Sequence, residues 1–105
     1  MYLVIKTQKR PNTGVEFASM DSTFINPEVR AYFGDNYKKT GKCVNVDITL
    51  TDNDTLYTSV MLWDTEASYN EFVSDTFLVT SFFDPITTHM TNNNIIFNMV
   101  SKENV

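Results

Sequence analysis

Residues 43–63 constrain the fold more than any other part of the chain. Val44, Val46, Ile48 and Leu50 alternate with Cys43, Asn45, Asp47, Thr49 and Thr51, the period of two that a half-buried β-strand requires. Asp52-Asn53-Asp54 is a cluster of turn formers, and Leu56 to Trp63 is a second run rich in β-branched and aromatic residues. The stretch reads as a hairpin. Placing Thr51 opposite Thr55 pairs Leu50 with Leu56, Ile48 with Thr58, Val46 with Val60 and Val44 with Leu62. One face is then almost wholly aliphatic and suits a covering layer of helices. The other carries Tyr57, Met61 and Trp63 among Asn45, Asp47 and Thr49. A one-residue slip sets aliphatic residues opposite polar ones, so the pattern predicts the first register.

The flanks supply the remaining elements. Tyr2 to Thr7 is a short apolar run that reads as a strand, and Arg10-Pro11-Asn12-Thr13-Gly14 is a turn. Asn26-Pro27-Glu28 opens a helix: Asn26 caps, Pro27 suits the first position, and Glu28 faces the positive end of the dipole. Val29, Tyr32, Phe33 and Tyr37 form its apolar stripe, and Gly41 ends it. Asp64 or Thr65 caps the next helix, whose stripe is Tyr69, Phe72, Val73 and Phe77. A second stripe follows at Leu78, Phe82 and Ile86, closed by His89 and Met90. Pro85 predicts a kink, or a restart with Asp84 as cap. Asn92-Asn93-Asn94 stops the helix, and Ile95 to Val100 is the last strand. The order is β-α-β-β-α-β, which is the ferredoxin-like arrangement: an α+β fold with a four-stranded antiparallel sheet and both helices on one face. At 105 residues, with no break in composition, residues 1–105 are expected to form a single domain.

Composition narrows the function classes. No run of about 18 apolar residues is present, so no membrane span is expected. Met1 leads directly into Tyr2-Leu3-Val4-Ile5 without a basic segment, so no secretory leader is read and a cytoplasmic protein is expected. One Cys (Cys43) and one His (His89) exclude a disulfide framework, a cysteine cage and a two-His zinc site within one chain. No metal and no cofactor are expected. The net charge of −5 is unevenly spread: residues 1–42 hold seven bases against four acids, and residues 43–105 one base against nine acids. An acidic protein with a diffuse basic side lacks the clustered cations that nucleic acid demands, so no nucleic-acid partner is expected. An anionic ligand would find its cation in the first 42 residues.

The second sheet face needs a cover, because the outer strands are apolar on both sides. Two covers are available: the loop at residues 9–25, or a second copy of the sheet. The second is favoured and gives a two-fold homodimer. At the junction, Ser59-Val60-Met61-Leu62-Trp63-Asp64-Thr65-Glu66-Ala67-Ser68-Tyr69-Asn70-Glu71-Phe72 resembles the strand-to-helix corner of antibiotic-biosynthesis-monooxygenase-like proteins in the dimeric α+β barrel group. The residue-level likeness covers about residues 59–75, the element order nearly the whole chain. The resemblance implies a dimer whose two sheets form a barrel, with a hydrophobic cavity between sheet and helices in each subunit. Its haem-degrading branch has a His on the second helix, where Glu71-Phe72-Val73-Ser74 stands here. It also has an Asn in the first strand, where this chain has Lys6, Thr7 and Gln8. Haem chemistry is therefore not expected. In the oxygenases of the group a strand Trp helps hold a planar substrate, and only Trp63 carries over.

The residues themselves favour binding over catalysis. No activated nucleophile, no acid–base pair at recognisable spacing, no phosphate loop and no metal set is visible, so no catalytic residue is named. The expectation is a dimer that binds a small hydrophobic molecule, fatty-acid-like in character, between the helices and the sheet. Trp63, Phe82 and Ile86 are expected to line the site, with His89 or Arg30 at the rim for a polar end group. His89 also has a plainer reading, as a helix-end imidazole bonded to a backbone carbonyl. A cofactor-independent monooxygenase or isomerase is the alternative, and a structural or accessory dimer without ligand is the second alternative. Asp47 reads as a hydrogen-bonded strand residue, Asp52-Asn53-Asp54 as a turn rather than a calcium loop, and Cys43 as a buried thiol.

Overall fold

In the computed structural model, which describes residues 1–105, four strands form one antiparallel sheet in the order β2-β3-β1-β4. The strands are β1 (Tyr2–Lys9), β2 (Cys43–Thr51), β3 (Leu56–Trp63) and β4 (Ile96–Lys102). Helix α1 (Glu28–Phe33) runs on into a π-helical turn at Gly34–Lys38. After β3 come α2 (Glu66–Ser74), α3 (Thr76–Leu78), a π-helical turn at Val79–Phe83, and α4 (Asp84–Asn92). This is the ferredoxin-like α+β topology, with the helices packed on one face of the sheet. No helix is long and apolar enough to cross a membrane.

Local chemistry explains the helix ends. Asn26 Oδ1 accepts from the Glu28 amide at 3.0 Å. Thr65 Oγ1 accepts from the Ser68 amide at 3.1 Å and caps α2. Asp75 caps α3 through the Phe77 and Leu78 amides, and the same carboxylate accepts from the hydroxyls of Tyr32 and Tyr37 at 2.7 and 2.6 Å. One side chain thus pins the first helix to the last helical layer. Pro85 falls in the first turn of a new helical segment, as a restart requires, but without the expected Asp84 cap. It has no N–H to donate, and the ladder widens just before it, with the Asp84 amide bonding Val79 O across a π turn. Asp84 makes no side-chain cap.

The hairpin corrects the expected register. Thr51 faces Leu56, not Thr55, so that Leu50 pairs with Tyr57, Ile48 with Ser59, Asp47 with Val60 and Val46 with Met61. The cause is the turn. Asp52, Asn53 and Asp54 are all left-handed, with φ of 52°, 54° and 65°, a conformation that Asn and Asp tolerate better than other side chains. Three such residues plus Thr55 make a four-residue connection. Lys9 Nζ donates to Thr55 Oγ1 at 2.7 Å, and Arg10 Nε to Asp54 O at 2.9 Å, clamping the turn from the end of β1. An irregularity between Cys43 and Asn45 then returns Cys43 to the side of Trp63.

The slip turns β3 over. Val46, Ile48 and Leu50 share the helix side with Tyr57, Ser59, Met61 and Trp63, while Thr58, Val60 and Leu62 face outward. Through Val4 opposite Met61, Tyr2, Val4, Lys6 and Gln8 of β1 also face the helices. Met61 and Trp63, expected on the outer face, are 6% and 0% exposed. Trp63 packs among Phe33, Tyr37, Tyr69 and Phe72 with ring centroids 5.0–6.4 Å apart. Such an aromatic cluster dominates a small core. The Trp63 Nε1 is buried without an acceptor, at a cost of about 1–3 kcal/mol. The loop between β1 and α1 covers no part of the outer face. Gln8 holds it on the helix side, donating to Ala18 O at 2.6 Å and accepting from the Ala18 amide at 2.9 Å.

Candidate functional site

Between the helices and the sheet lies a cavity of about 730 Å³, within the range of sites that hold small molecules. Its floor is the inner face of the sheet: Lys6 and Gln8 of β1, Val46 of β2, Ser59 and Met61 of β3, and Met99 of β4. Its roof is aromatic. Tyr69 and Phe72 come from α2, and the π turn before Pro85 brings adjacent Phe82 and Phe83 to the same wall. Ile86 and Met90 continue that wall along α4, and the loop segment Ala18–Asp21 closes one end. Seventeen of the 27 lining residues are hydrophobic, so most of a ligand's surface there must be apolar.

Lys6 is the exception. It stands in the middle of β1, paired with Ser59 on one side and Met99 on the other. Its Nζ lies 5.2 Å from the ring centroid of Tyr69, 5.9 Å from that of Phe72 and 5.8 Å from that of Phe83. Burial pushes its pKa down to about 8, and burial is the sole cause; no carboxylate offsets it. The one acid lining the cavity, Asp21, is taken by Arg30 in an exposed ion pair. Ring faces supply about 0.5–2 kcal/mol of attraction to a cation, less than an ammonium loses on leaving water. The site therefore holds an amine whose charge the protein does not balance.

The neighbouring hydroxyls are neutral. Burial raises the pKa of Tyr69 to about 12 and also raises that of Tyr57. Tyr69 donates to Met99 Sδ at 3.3 Å. The Cys43 thiol is pushed up to about 11, chiefly by burial, and does not line the cavity. No three His, Cys, Asp or Glu side chains gather in a way that could hold a metal ion.

The residues singled out from sequence divide. Phe82, Ile86 and Arg30 line the cavity, with Arg30 at its mouth. Trp63 does not reach it; it lies one layer away, behind Tyr69 and Phe72. His89 is also outside. Its Nε2 donates to Glu16 O at 2.5 Å, Asn93 Nδ2 lies 3.2 Å from Nδ1, and the ring stacks on Phe24 at 4.4 Å. These are the contacts of the plainer reading. Lys6 is the residue that sequence reasoning passed over. The available signal was its place directly after the apolar run Tyr2–Ile5, at a position that alternation groups with Tyr2 and Val4.

No protein-family model matches the chain, and no curated sequence does. Solved structures match it in fold. A dimeric ferredoxin-like protein from an uncultured marine organism superposes with a TM-score of 0.58 at 9% identity, over 96% of this chain and 92% of its own. A candidate antibiotic biosynthesis monooxygenase from Deinococcus radiodurans gives 0.57 at 9% identity, over 100% and 93%. A ferredoxin-fold protein of Listeria monocytogenes related to antibiotic biosynthesis monooxygenases gives 0.54 at 14% identity, over 98% of this chain and 57% of its own. At these identities the likeness establishes the ferredoxin-like fold that the chain shares with antibiotic-biosynthesis-monooxygenase-like proteins.

Proposed function

We propose that the protein is a homodimer in which each subunit binds a small, largely apolar molecule in the helix–sheet cavity, with the ligand's single polar end on Lys6. The observation that carries this reading is the uncompensated lysine in an aromatic-walled cavity. An apolar chain satisfies the walls, and a carboxylate or carbonyl oxygen satisfies the amine. A medium-chain fatty acid fits both demands. The homodimer is supported by the outer sheet face, where Val60, Ile5 and Val100 lie side by side across three strands and Val100 is 63% exposed. A second sheet laid on this row removes it from water.

Thermal melting in the presence of decanoate tests the binding. The melting temperature should rise with ligand concentration, because the ligand binds only the folded state, and emission from Trp63 should change as Tyr69 and Phe72 shift against it. Ile86→Asp puts a charge on the apolar wall and should abolish both effects while leaving the dimer intact. No shift with decanoate or decanol would overturn the proposal.

One observation favours a second reading, a cofactor-independent oxygenase. A lysine with a lowered pKa in an apolar pocket suits a general base that draws a proton from an enolisable or phenolic substrate. Oxygen uptake with such a substrate, lost in Lys6→Met, is the readout. In this reading Trp63 and His89 take no direct part.

A further inference from the structure

We propose that Lys6 captures carbonyl compounds covalently, forming a reversible imine with an apolar aldehyde or ketone seated in the cavity. The inference rests on the cavity being a ligand site, as proposed above, and goes beyond it by making the polar contact a bond.

Three features of the site carry it. First, Lys6 Nζ has no acid partner in the chain, so nothing locks it as an ammonium. A lysine serves as a nucleophile when a hydrophobic pocket keeps part of it in the free-amine form. Second, the space in front of it is lined by Phe72, Phe83, Met61 and Met99. These side chains do not react with a carbonyl, and they give the chain of an apolar aldehyde or ketone a surface to lie on. Third, a polar neighbour shares the cavity floor, since Ser59 of β3 pairs with Lys6 on the same face and also lines the cavity. Residues so paired sit within about 5 Å of each other.

The step balances without an oxidant or reductant. The Nζ lone pair attacks the carbonyl carbon, the C–N bond forms, and the carbonyl oxygen takes up a proton to give a carbinolamine. That proton is the first of the two that nitrogen gives up. The carbinolamine C–O bond then breaks, water leaves, and nitrogen loses its second proton. The products are one imine and one water. Arg30 and Lys38 at the cavity wall are cations and cannot pair with the amine, Asp21 is held by Arg30, and burial keeps Tyr57 and Tyr69 neutral. No charged group on any facing element therefore restores the ammonium.

The test uses the full chain with decanal and sodium cyanoborohydride near neutral pH, followed by digestion and mapping of the reduced adduct. Reduction fixes the imine as a secondary amine. Lys6 should gain one decyl group at least about tenfold faster than exposed Lys39 or Lys102, because the free-amine fraction at neutral pH grows with the fall in pKa. Excess decanol, which enters the cavity but forms no imine, should protect Lys6 and leave the surface lysines labelled. If decanol raises the melting temperature but Lys6 is labelled no faster than the surface lysines, the covalent inference is overturned and the binding site stands. If decanol gives no thermal shift and Lys6 is not labelled, both are overturned. Mapping on the native chain needs no variant. Lys6→Met should in addition lose the fast-labelled site while keeping the decanol shift.

Discussion

The two faces of the sheet are built on different principles. The inner face carries large side chains of mixed chemistry: Trp63 and Met61 in the aromatic core, and Lys6, Gln8 and Ser59 under the cavity. The outer face groups Leu3, Ile5, Val60, Leu62 and Val100 around its centre, bordered by Asn45 and Asp47 of β2 and by Thr7, Thr49 and Thr58. The inner face is covered over its middle by this chain's own helices and loop, which bridge bulky rings and leave a void, while Ile48, Leu50, Phe97 and Met99 toward its edges stay 43–55% exposed. The outer face carries none of this chain's helices, and its central aliphatic row is what the proposed second sheet would cover.

Placing a charge on each face breaks the comparison most sharply. Met61→Asp buries a carboxylate beside Val4 and Val46 with no partner, which costs several kcal/mol. The protein should fail to fold, or melt tens of degrees lower. Ile5→Asp puts the same charge at the centre of the outer face. The subunit should keep its circular dichroism spectrum and run as a monomer in light scattering. If Ile5→Asp stays dimeric, the outer face is not the interface. If Met61→Asp folds normally, the faces are assigned the wrong way round.

The register shows what a single sequence conveys. The alternation in β2 placed Val46, Ile48 and Leu50 correctly on the helix side. The same reasoning put β3 upside down, because three successive left-handed residues without a glycine are a rare turn, and one residue more in the connection inverts the next strand. The error then spread. With β3 inverted, the parity of β1 could not be set, since Leu3 and Ile5 are as apolar as Tyr2 and Val4, and nothing singled out Lys6. Elements with local signals came through: the Asn26 and Thr65 caps, the stop at Asn92–Asn94, and the stripe of Phe82 and Ile86. The contacts that make the site, from Lys6 to the rings of α2 and the π turn, join residues more than sixty positions apart and have no local signature.

A smaller effect should follow from removing the inner charge. Lys6 has a pKa of about 8 in the folded chain and about 10.4 when unfolded. Between these values the unfolded state binds more protons, so stability should rise with pH from about 8 to 10; below pH 8 the full cost of the buried ammonium is present. Lys6→Met should therefore stabilise the protein at pH 7 by about 1–3 kcal/mol and flatten the rise between pH 8 and 9.5, read by urea unfolding. The window closes near pH 10, where unfolded tyrosines ionise and Tyr69, whose pKa is raised to about 12, begins to favour the folded state less. A destabilised Lys6→Met with an unchanged pH slope would mean that the amine is already balanced in the folded chain.

The smallest effect tests where the inner face ends. His89 is a short step along α4 from Ile86 and Met90, which line the cavity, yet its ring points to the loop. It bonds Glu16 O through Nε2 and stacks on Phe24. Both contacts lie at the surface, where one hydrogen bond is worth about 1 kcal/mol. His89→Gln should lower stability by about that amount, through a looser attachment of residues 16–24 to α4. It should leave the affinity for decanoate unchanged within about twofold, because no His89 atom borders the ligand space. Ile86→Asp, one turn away, should show the reverse emphasis: binding of decanoate is lost, whatever its effect on stability. The pair separates a wall of the cavity from the brace behind it. A tenfold loss of decanoate affinity in His89→Gln, with stability held, would move the polar end of the ligand away from Lys6 and out to the rim.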